Sequence, residues 1–474
     1  MAAATSSLVT ARRWGKDPAP QTVAAPPNIL LCIADDWSAG IKSLYPTLRL
    51  PNIARLAREG IVFDHAFTVS PTCAAARAGL LTGQPPHRLE QAANLWGTLA
   101  AKFPVYPDLL EAAGYFIGYA KKGYSPAIDG DRPRNAAGPF FNSFNEFLGS
   151  VPAGRPFCFW YGSFDPHRPY DRNLAEALGL RSSDVHVPGF LPNVPQVSRD
   201  LLDYCAEVHR FDTAVGDILS RLDESGRAQD TLVVLTSDNG MPFPRAKANL
   251  YDAGTRVPMI IRFPGKVTAG RNSNALVSHL DLAPTFLQLA GLPIPAAVAG
   301  NSLVDLLSGR PASARSSVFF ERERHVPARA GNVGYPIRAI RTSRYLLVRN
   351  VAPDRWPAGD PTDFAGLEHY GDIDGGPTKV YLREHADEQS CSRLFSLACA
   401  KRPATELYDV IADSWQLNDL AAAPAYAGIR NQMNTQLTNW MTRTADPRAT
   451  GGGSEFDTYP YYGPANIPAT APVL

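Results

Sequence analysis

Two short, unbroken apolar runs, each ending in acidic residues, constrain the fold of this chain more than any other feature. One run covers Asn28–Ala34 and the other covers 231–236. Runs of this length without a polar interruption are typical of parallel strands that are buried on both faces of a sheet. The residues that follow them carry carboxylate and amide groups: Asp35, Asp36, Asp238 and Asn239. Because ligands of open α/β sheets bind beyond the carboxyl ends of the strands, we expect these side chains to meet at one edge.

Strand and helix patterns alternate around these two runs. Apolar residues at helical spacing over 52–60 are followed by the strand-like residues 61–63. A helical pattern over 201–223 precedes the second apolar run, and a further strand is expected over 157–164. Such alternation predicts an α/β fold with a large mixed, mostly parallel sheet flanked by helices.

The 474 residues exceed the ~250–300 at which a single hydrophobic core usually stops growing. After about residue 316 the pattern changes to short β-prone pieces at 317–320 and 345–348, followed by an amphipathic helix over 429–442. This change predicts a smaller C-terminal α+β subdomain. We therefore expect four segments: an irregular N-terminal arm (1–27), the main α/β domain that carries the acids (28–315), the α+β subdomain (316–445) and an irregular C-terminal tail (446–474).

The charge balance argues against a nucleic-acid partner. The chain carries 46 Lys and Arg against 45 Asp and Glu, and proteins that neutralise phosphates usually show a basic excess. No apolar run approaches the ~18–20 residues that would span a bilayer, so no membrane association is expected. The first 27 residues show no signal-peptide pattern, which leaves a cytoplasmic protein or an exported one with its signal removed. The oligomeric state stays open.

The six cysteines are too sparse for a disulfide scaffold. Cys391 and Cys399 would be able to close a small loop in an oxidising compartment. We expect them instead to be two reduced, unrelated thiols, because no export signal is visible.

The four polar side chains at the strand ends form a set of hard oxygen ligands. Carboxylate and amide oxygens suit Ca²⁺ or Mg²⁺, whereas Zn²⁺ prefers imidazole and thiolate. Taken alone, Asp35-Asp36 or Asp238-Asn239 is as readily explained as a polar turn at the end of a strand, since Asp and Asn favour turns. Together they predict one divalent cation bound by Asp35, Asp36, Asp238 and Asn239.

A motif between the two acidic pairs resembles the signature of the type I sulfatases, which belong to the alkaline-phosphatase superfamily. It reads Cys-Ala-Ala-Ala-Arg over 73–77 and is followed by Leu-Thr-Gly over 81–83. The resemblance implies that a formylglycine-generating enzyme oxidises Cys73 to formylglycine, that residue 73 joins the cation ligands, usually of Ca²⁺, and that Arg77 binds the aldehyde hydrate. Ala75 replaces the Pro of most members. Taken by itself, Cys73 would be a small buried residue in an Ala-rich helix.

The family's chemistry explains why an aldehyde is needed. Its hydrate carries two hydroxyls on one carbon, of which one attacks sulfur and forms a covalent sulfate ester. The second hydroxyl then loses its proton, the aldehyde re-forms, and sulfate leaves. An unmodified thiol has no second hydroxyl and cannot release sulfate in this way.

Further stretches extend the resemblance. Residues 235–240 and 247–258 are similar to the family's second metal-ligand strand and its lysine-bearing loop, which implies that Lys247 contacts the sulfate. His167 stands where the family has a His that hydrogen-bonds the sulfate or protonates the leaving atom. Outside this context, Lys247 would be an exposed loop residue and His167 a structural hydrogen-bonder.

A third match is partial. After an Ala-Gly-Tyr helix end at 113–115, ungapped alignment places Lys122 at the family's catalytic lysine, with Lys121 as the alternative. Tyr124 then replaces the His that follows this lysine in the family, and Tyr is a poorer proton shuttle near neutral pH. The two lysines would also suit a solvated surface.

Two stretches, 187–195 and 238–244, resemble the heparan N-sulfatase subgroup. The resemblance implies a sulfated saccharide as substrate, with N-sulfated glucosamine as the first expectation and an O-sulfated polysaccharide as the alternative. Basic residues that would suit an anionic sugar complete the candidate set: His87, Arg322, Arg324 and His325. Such runs are more often solvated faces.

Two other functions stay open at this point. A phosphonate or phosphodiester hydrolase of the same superfamily would share the sheet and the metal site. A non-catalytic binder of sulfated glycans would fit Ala75 and the missing His beside Lys122.

Overall fold

The computed structural model describes residues 26–310, 315–363 and 366–464. Most of the N-terminal arm expected over 1–27, and the end of the expected C-terminal tail, lie outside the described residues.

The first sheet has seven strands in the order β3-β4-β1-β5-β6-β2-β7. Its strands are β1 (Asn28–Ala34), β2 (Ile61–Phe67), β3 (Phe116–Lys121), β4 (Phe157–Gly162), β5 (Thr231–Ser237), β6 (Met259–Arg262) and β7 (Arg271–Ser278). The strand β6 runs antiparallel to both neighbours, while the other pairings are parallel. The sheet is therefore mixed and mostly parallel, as expected.

The strand β1 lies in the middle of this sheet, and all seven of its residues are buried. Leu30 and Cys32 pack into the core on one face, whereas Leu31 and Ile33 pack into the core on the other face. Burial on both faces explains why residues 29–34 include no polar side chain. Ala34 pairs with Ser237 of β5, so the acids that follow both strands emerge side by side.

Helices cover both faces of the sheet and fill the connections. They are α1 (Ile41–Leu44), α2 (Pro51–Glu59), α3 (Cys73–Thr82), α4 (Tyr106–Ala112), α5 (Phe144–Ser150), α6 (Leu174–Ala177), α7 (Pro195–Glu224), α8 (Asp252–Thr255), α9 (Leu282–Leu289) and α10 (Val304–Leu307). The long helix α7 begins at Pro195, six residues before the first residue of the sequence expectation, because proline without an N–H is well suited to the first turn.

The second sheet is antiparallel and has four strands in the order β11-β10-β9-β8. Its strands are β8 (Ser317–Arg322), β9 (Ile337–Thr342), β10 (Tyr345–Asn350) and β11 (Thr405–Asp409). The remaining helices are α11 (Pro377–Glu384), α12 (Ser392–Cys399), α13 (Ala427–Arg443) and α14 (Glu455–Thr458). One face of this sheet packs on α13, and the other packs on residues of the main domain such as Phe67 and Tyr251. The expected α/β fold class with a smaller α+β part is confirmed.

The described part of the C-terminal tail packs against the rest of the protein. Its short helix α14 buries Phe456, and the carbonyl oxygens of Tyr459 and Pro460 accept hydrogen bonds from the buried guanidinium of Arg324. All six cysteines are buried free thiols, Cys391 and Cys399 included. Among the described helices, none combines the length and the apolar character that crossing a bilayer requires.

Candidate active site

The loops after β1 and β5 are tied together by hydrogen bonds at the carboxyl edge of the sheet. The backbone N–H of Asp36 donates to Oδ1 of Asp238 at 3.1 Å, and the N–H of Asn239 donates to the same oxygen at 2.8 Å. Asp36 has a φ of 72°, in the left-handed region that residues with a Cβ rarely adopt. Strained backbone of this kind is concentrated at functional sites, where surrounding contacts maintain it.

The five expected ligand residues lie close together in this structure. One donor atom from each of Asp35, Asp36, Cys73 and Asp238 lies within 4.8 Å of the others, and all four side chains are buried. Asn239 directs its Nδ2 to Oδ1 of Asp36 at 2.7 Å, while its Oδ1 is buried without a hydrogen-bond partner. A buried amide oxygen without a donor is unfavourable unless a cation binds it. The residues present therefore fit one hard divalent cation.

The electrostatics of the three carboxylates are consistent with this ligand set. Burial and the charge of Asp35 raise the pKa of Asp238 to about 6. Burial also raises the pKa of Asp36, although Lys247 and His167 oppose the shift. Burial acts in the same direction on Asp35, but the positive charge of Lys122 leads the contributions that hold its pKa well below the usual range. A divalent cation would supply the positive charge that keeps all three carboxylates ionised.

Cys73 is the first residue of α3, whose ten residues are all buried. Its Sγ lies 3.3 Å from Oδ1 of Asp35. Burial and the negative charge of Asp35 raise the pKa of this thiol well above its usual value. Because the thiolate is the nucleophilic form, the unmodified side chain is a poor nucleophile here.

Arg77, one turn along α3, joins three segments of the site. Its Nε donates to Oδ2 of Asp238 at 2.9 Å, and its Nη1 donates to the carbonyl oxygens of Lys122 and Gly123, both at 2.9 Å. Its Nη2 is buried without a hydrogen-bond partner and lies 3.9 Å from Oδ1 of Asp35. Arg77 therefore holds the site together and retains a free donor.

The structure places Lys122, and not Lys121, at the site. Nζ of Lys122 lies 2.5 Å from Oδ2 of Asp35 in a buried ion pair. Lys121 ends β3 with an exposed side chain. Tyr124 is buried in the hydrophobic core, and its hydroxyl has no hydrogen-bond partner. The structure therefore does not connect Tyr124 to the hydrogen bonds of the site.

Lys247 forms the second buried ammonium of the site. Its Nζ lies 2.8 Å from Oδ2 of Asp36 and 3.0 Å from Oδ2 of Asp374. Donor atoms of Asp36, His167 and Asp374 also lie within 4.8 Å of one another, which would permit a further cation. The ammonium group of Lys247 already bridges the carboxylates of Asp36 and Asp374 and offsets one of their two negative charges.

His167 stands at the solvent side of the site. Its side chain is 38% exposed, and its Nε2 lies 3.8 Å from Oδ2 of Asp36. Nδ1 of the ring lies 2.5 Å from the carbonyl oxygen of Arg168, which orients the ring. His167 is thus the exposed member of a cluster whose other sequence-expected members are buried.

The four basic residues that were expected to suit an anionic sugar are buried instead. Arg322 pairs with Asp372, and Arg324 donates to carbonyl oxygens of the tail. His87 lies 2.5 Å from Glu321, so its imidazole has a structural partner. Nδ1 of His325 lies 2.7 Å from Oγ1 of Thr72, and burial lowers the pKa of His325 to about 3. These four side chains are occupied by internal contacts and do not offer free positive charge to a sugar.

Asp374 is the site residue that the sequence interpretation missed. It lies in the connection between β10 and α11, in the segment Gly-Asp-Ile-Asp-Gly-Gly over 371–376. The sequence of this segment, in which Asp372 and Asp374 are followed by two glycines, predicts a loop with polar side chains.

Comparisons with known proteins agree with this geometry. Residues 27–129 and 130–292 match the Sulfatase family, and residues 245–363 match the family described as N-sulphoglucosamine sulphohydrolase, C-terminal. The chain is 30% identical to human N-sulphoglucosamine sulphohydrolase over 90% of this chain and 91% of that protein. It is 27% identical to an ulvan-active sulfatase of Formosa agariphila over 89% of this chain and 75% of that protein.

Solved structures share the fold. One is a protein in complex with its substrate D-glucosamine-2-N,6-O-disulfate, with a TM-score of 0.64, 20% identity, and coverage of 89% of this chain and 98% of that chain. Another is a phosphonate monoester hydrolase from Silicibacter pomeroyi, with a TM-score of 0.60, 19% identity, and coverage of 89% and 96%. Because the family match spans more than half of the chain and the human relative aligns with nine-tenths of it, this chain belongs to the sulfatase family and is a sulfate-ester or sulfamate hydrolase.

Proposed function

We propose that this enzyme removes sulfate from a sulfated saccharide, with N-sulfated glucosamine as its principal substrate. Residue 73 acts as the nucleophile after oxidation of Cys73 to formylglycine, and one divalent cation, Ca²⁺ in the first instance, binds beside it. The observation that carries the proposal is the convergence of Cys73 with three carboxylates and the unpartnered Oδ1 of Asn239. The match of 245–363 to the C-terminal family of N-sulphoglucosamine sulphohydrolase supports the substrate class.

The buried cationic side chains account for sulfate binding. The ammonium groups of Lys122 and Lys247 and the free Nη2 of Arg77 supply positive charge in a region shielded from water. Charge-assisted hydrogen bonds to an anion are stronger there than at the surface. A sulfate group therefore enters with its oxygens towards these side chains.

The location of His167 fits a role in proton transfer. It is the exposed member of the cluster, so a large sugar can approach it, and its ring is already oriented by the carbonyl oxygen of Arg168. An imidazole at this position can donate a proton to the departing nitrogen or oxygen atom. The cation and the oxidised side chain supply the Lewis acidity and the nucleophile that an unmodified thiol lacks.

Replacing Cys73 tests the proposal. We expect Cys73→Ala to abolish sulfate release, measured on protein produced together with a formylglycine-generating enzyme, while the thermal unfolding midpoint stays near that of the wild type. Cys391→Ala, which changes a buried cysteine just before α12, provides the matched control and retains activity. Turnover by Cys73→Ala at the wild-type rate would refute the assignment of the nucleophile.

A substrate panel distinguishes the remaining functions. Free sulfate from N-, 2-O- and 6-O-sulfated glucosamine is compared with product release from a phosphodiester and a phosphonate ester. We expect the highest kcat/KM on the N-sulfated sugar. Faster turnover of either phosphorus substrate would identify a phosphoryl enzyme. Mass spectrometry of the Cys73 peptide, if it showed only unmodified cysteine, would support a non-catalytic glycan binder.

A further inference from the structure

We propose that Asp374 selects a sulfamate over a sulfate ester, by accepting a hydrogen bond from the N–H that joins sulfur to the sugar. This inference rests on the proposed function and names the residue that would determine its substrate class. Asp374 comes from the loop before α11, outside the signature motif and outside the two metal-ligand loops.

The position of Asp374 relative to solvent is the first step of the argument. Its side chain is 19% exposed, whereas Lys247 is 5% exposed and Asp36 is fully buried. Its Oδ2 lies 3.0 Å from Nζ of Lys247, and a carboxylate oxygen lies within 4.8 Å of a ring nitrogen of His167. Asp374 and His167 are thus the two members of the cluster that border solvent.

The orientation of a bound substrate follows from this arrangement. The buried cationic groups of Lys122, Lys247 and Arg77 attract the sulfate inwards. The sugar is larger and must remain on the solvent side. The atom that links sulfur to the sugar therefore lies between these two regions, at the level of His167 and Asp374.

The chemistry of the linking atom distinguishes the two substrate classes. An ionised carboxylate only accepts hydrogen bonds. The bridging nitrogen of a sulfamate carries an N–H and can donate to it, whereas the bridging oxygen of a sulfate ester has only lone pairs. A carboxylate beside that oxygen would be repulsive, so the same side chain favours one substrate and disfavours the other.

The products reinforce this preference. When the S–N bond breaks, the sulfuryl group passes to the nucleophile at residue 73, and the electron pair of the bond remains on nitrogen. The nitrogen then takes a proton, for which His167 is the adjacent donor. The resulting amine has additional N–H groups, and further protonation gives it a positive charge that the carboxylate of Asp374 stabilises.

Charge balance indicates that Asp374 is more than a partner of Lys247. The ammonium group already has Oδ2 of Asp36 at 2.8 Å. A second carboxylate lowers the positive potential that an incoming sulfate needs, which is unfavourable for binding any anion. A substrate that carries its own N–H donor compensates for this unfavourable contribution, and a simple ester does not.

The test compares two substrates on one set of variants. Wild type, Asp374→Asn and Asp374→Ala are produced with a formylglycine-generating enzyme, and kcat/KM is measured on N-sulfoglucosamine and on glucosamine 6-O-sulfate. We expect the ratio of the first value to the second to fall on the order of 10- to 100-fold in both variants, as for the loss of a hydrogen bond to a charged group. Asp387→Asn, which removes an exposed carboxylate after α11, keeps the wild-type ratio.

The alternative outcomes are distinct. An unchanged ratio, with equal losses on both substrates, would mean that Asp374 only positions Lys247 and would overturn the inference. A wild type that hydrolyses the 6-O-sulfate but no N-sulfate would also overturn it, while leaving the sulfatase activity intact. A wild type that hydrolyses neither saccharide would instead contradict the proposed function.

Discussion

The amide oxygen of Asn239 shows at the scale of one residue how the site depends on a ligand. It is buried without a hydrogen-bond partner, and the amide nitrogen of the same side chain donates a hydrogen bond to Asp36. Leaving such an oxygen unpaired costs roughly 1–3 kcal/mol. The cation proposed for this position would therefore contribute to folding stability as well as to catalysis.

Asp238→Asn tests this link between metal binding and stability. In the wild type, Ca²⁺ or Mg²⁺ at 100 times its Kd should stabilise the fold by about 2.7 kcal/mol, and EDTA should reverse the effect. We expect the variant to lose this metal-dependent stabilisation because one ligand carboxylate is gone. We also expect it to be less stable without metal, because the charged contact of Asp238 with Arg77 is lost. Thermal unfolding with and without metal measures both effects.

Asp217→Asn is the control for this experiment, since Asp217 is an exposed carboxylate on α7. Its metal-dependent rise in the unfolding midpoint should equal that of the wild type. An equal rise in Asp238→Asn would contradict the ligand assignment.

The proximity of most of the residues at this site could be predicted from the sequence. Asp35 and Asp238 follow neighbouring parallel strands, so the pattern of the strands also determines their proximity. The strand pattern does not predict that Asp374 lies beside them, although its neighbouring acid and glycines indicate a polar loop. Its position depends on Asp372, which pairs with two arginines of the second sheet region, and contacts of that kind leave no periodic pattern.

At the scale of elements, the contact between the loop after β5 and the short helix α8 positions two of the proposed metal ligands, Asp238 and Asn239. Gly240 donates its N–H to the carbonyl oxygen of Gly254 at 2.9 Å. A Cβ at position 240 would lie 1.9 Å from the carbonyl oxygen of Ala253. Only glycine permits this approach, and Asn239 immediately precedes it.

We therefore expect Gly240→Ala to displace the loop, to destabilise the protein by about 1–3 kcal/mol, and to lower metal affinity and activity together. Gly149→Ala is the matched control, because Gly149 lies in α5 with no atom near the added methyl group. It should be neutral or stabilising by up to about 1 kcal/mol. Calorimetric unfolding and a metal titration compare the two, and wild-type metal affinity in Gly240→Ala would contradict the role of the close approach.

The elements that could be predicted from the sequence are those with a clear local pattern of apolar residues. The buried strands β1 and β5 and the helix α7 all carry one. The strand β6 has only four residues, and its antiparallel direction follows from its neighbours rather than from its own sequence. Short elements of this kind require the tertiary structure to be identified.

At the scale of the whole molecule, buried ion pairs join the second sheet to the segment that carries Asp374. Asp372 is 1% exposed and pairs with Arg322, at the end of β8, and with Arg329. The two guanidinium groups outweigh burial and hold the pKa of Asp372 well below its usual range. The second sheet thereby contributes to the solvent side of the active site.

Removing this carboxylate should have a large effect. We expect Asp372→Asn to destabilise the protein by about 3–5 kcal/mol, because it leaves two buried arginines without a counter-charge. Glu224→Gln, which breaks the exposed pair between Glu224 and Arg221, should change stability by no more than about 1 kcal/mol. Urea unfolding of both variants measures the difference, and equal effects would show that the buried pairs are not the stronger connection.

The burial of Cys73 has a consequence for how the protein is made. Its side chain is only 2% exposed, at the start of a helix enclosed on every side. An enzyme that oxidises this thiol would find no route to it once the helix has docked. We therefore expect the oxidation proposed for Cys73 to take place on the nascent or still unfolded polypeptide, and a chain that folds first to keep its unmodified thiol.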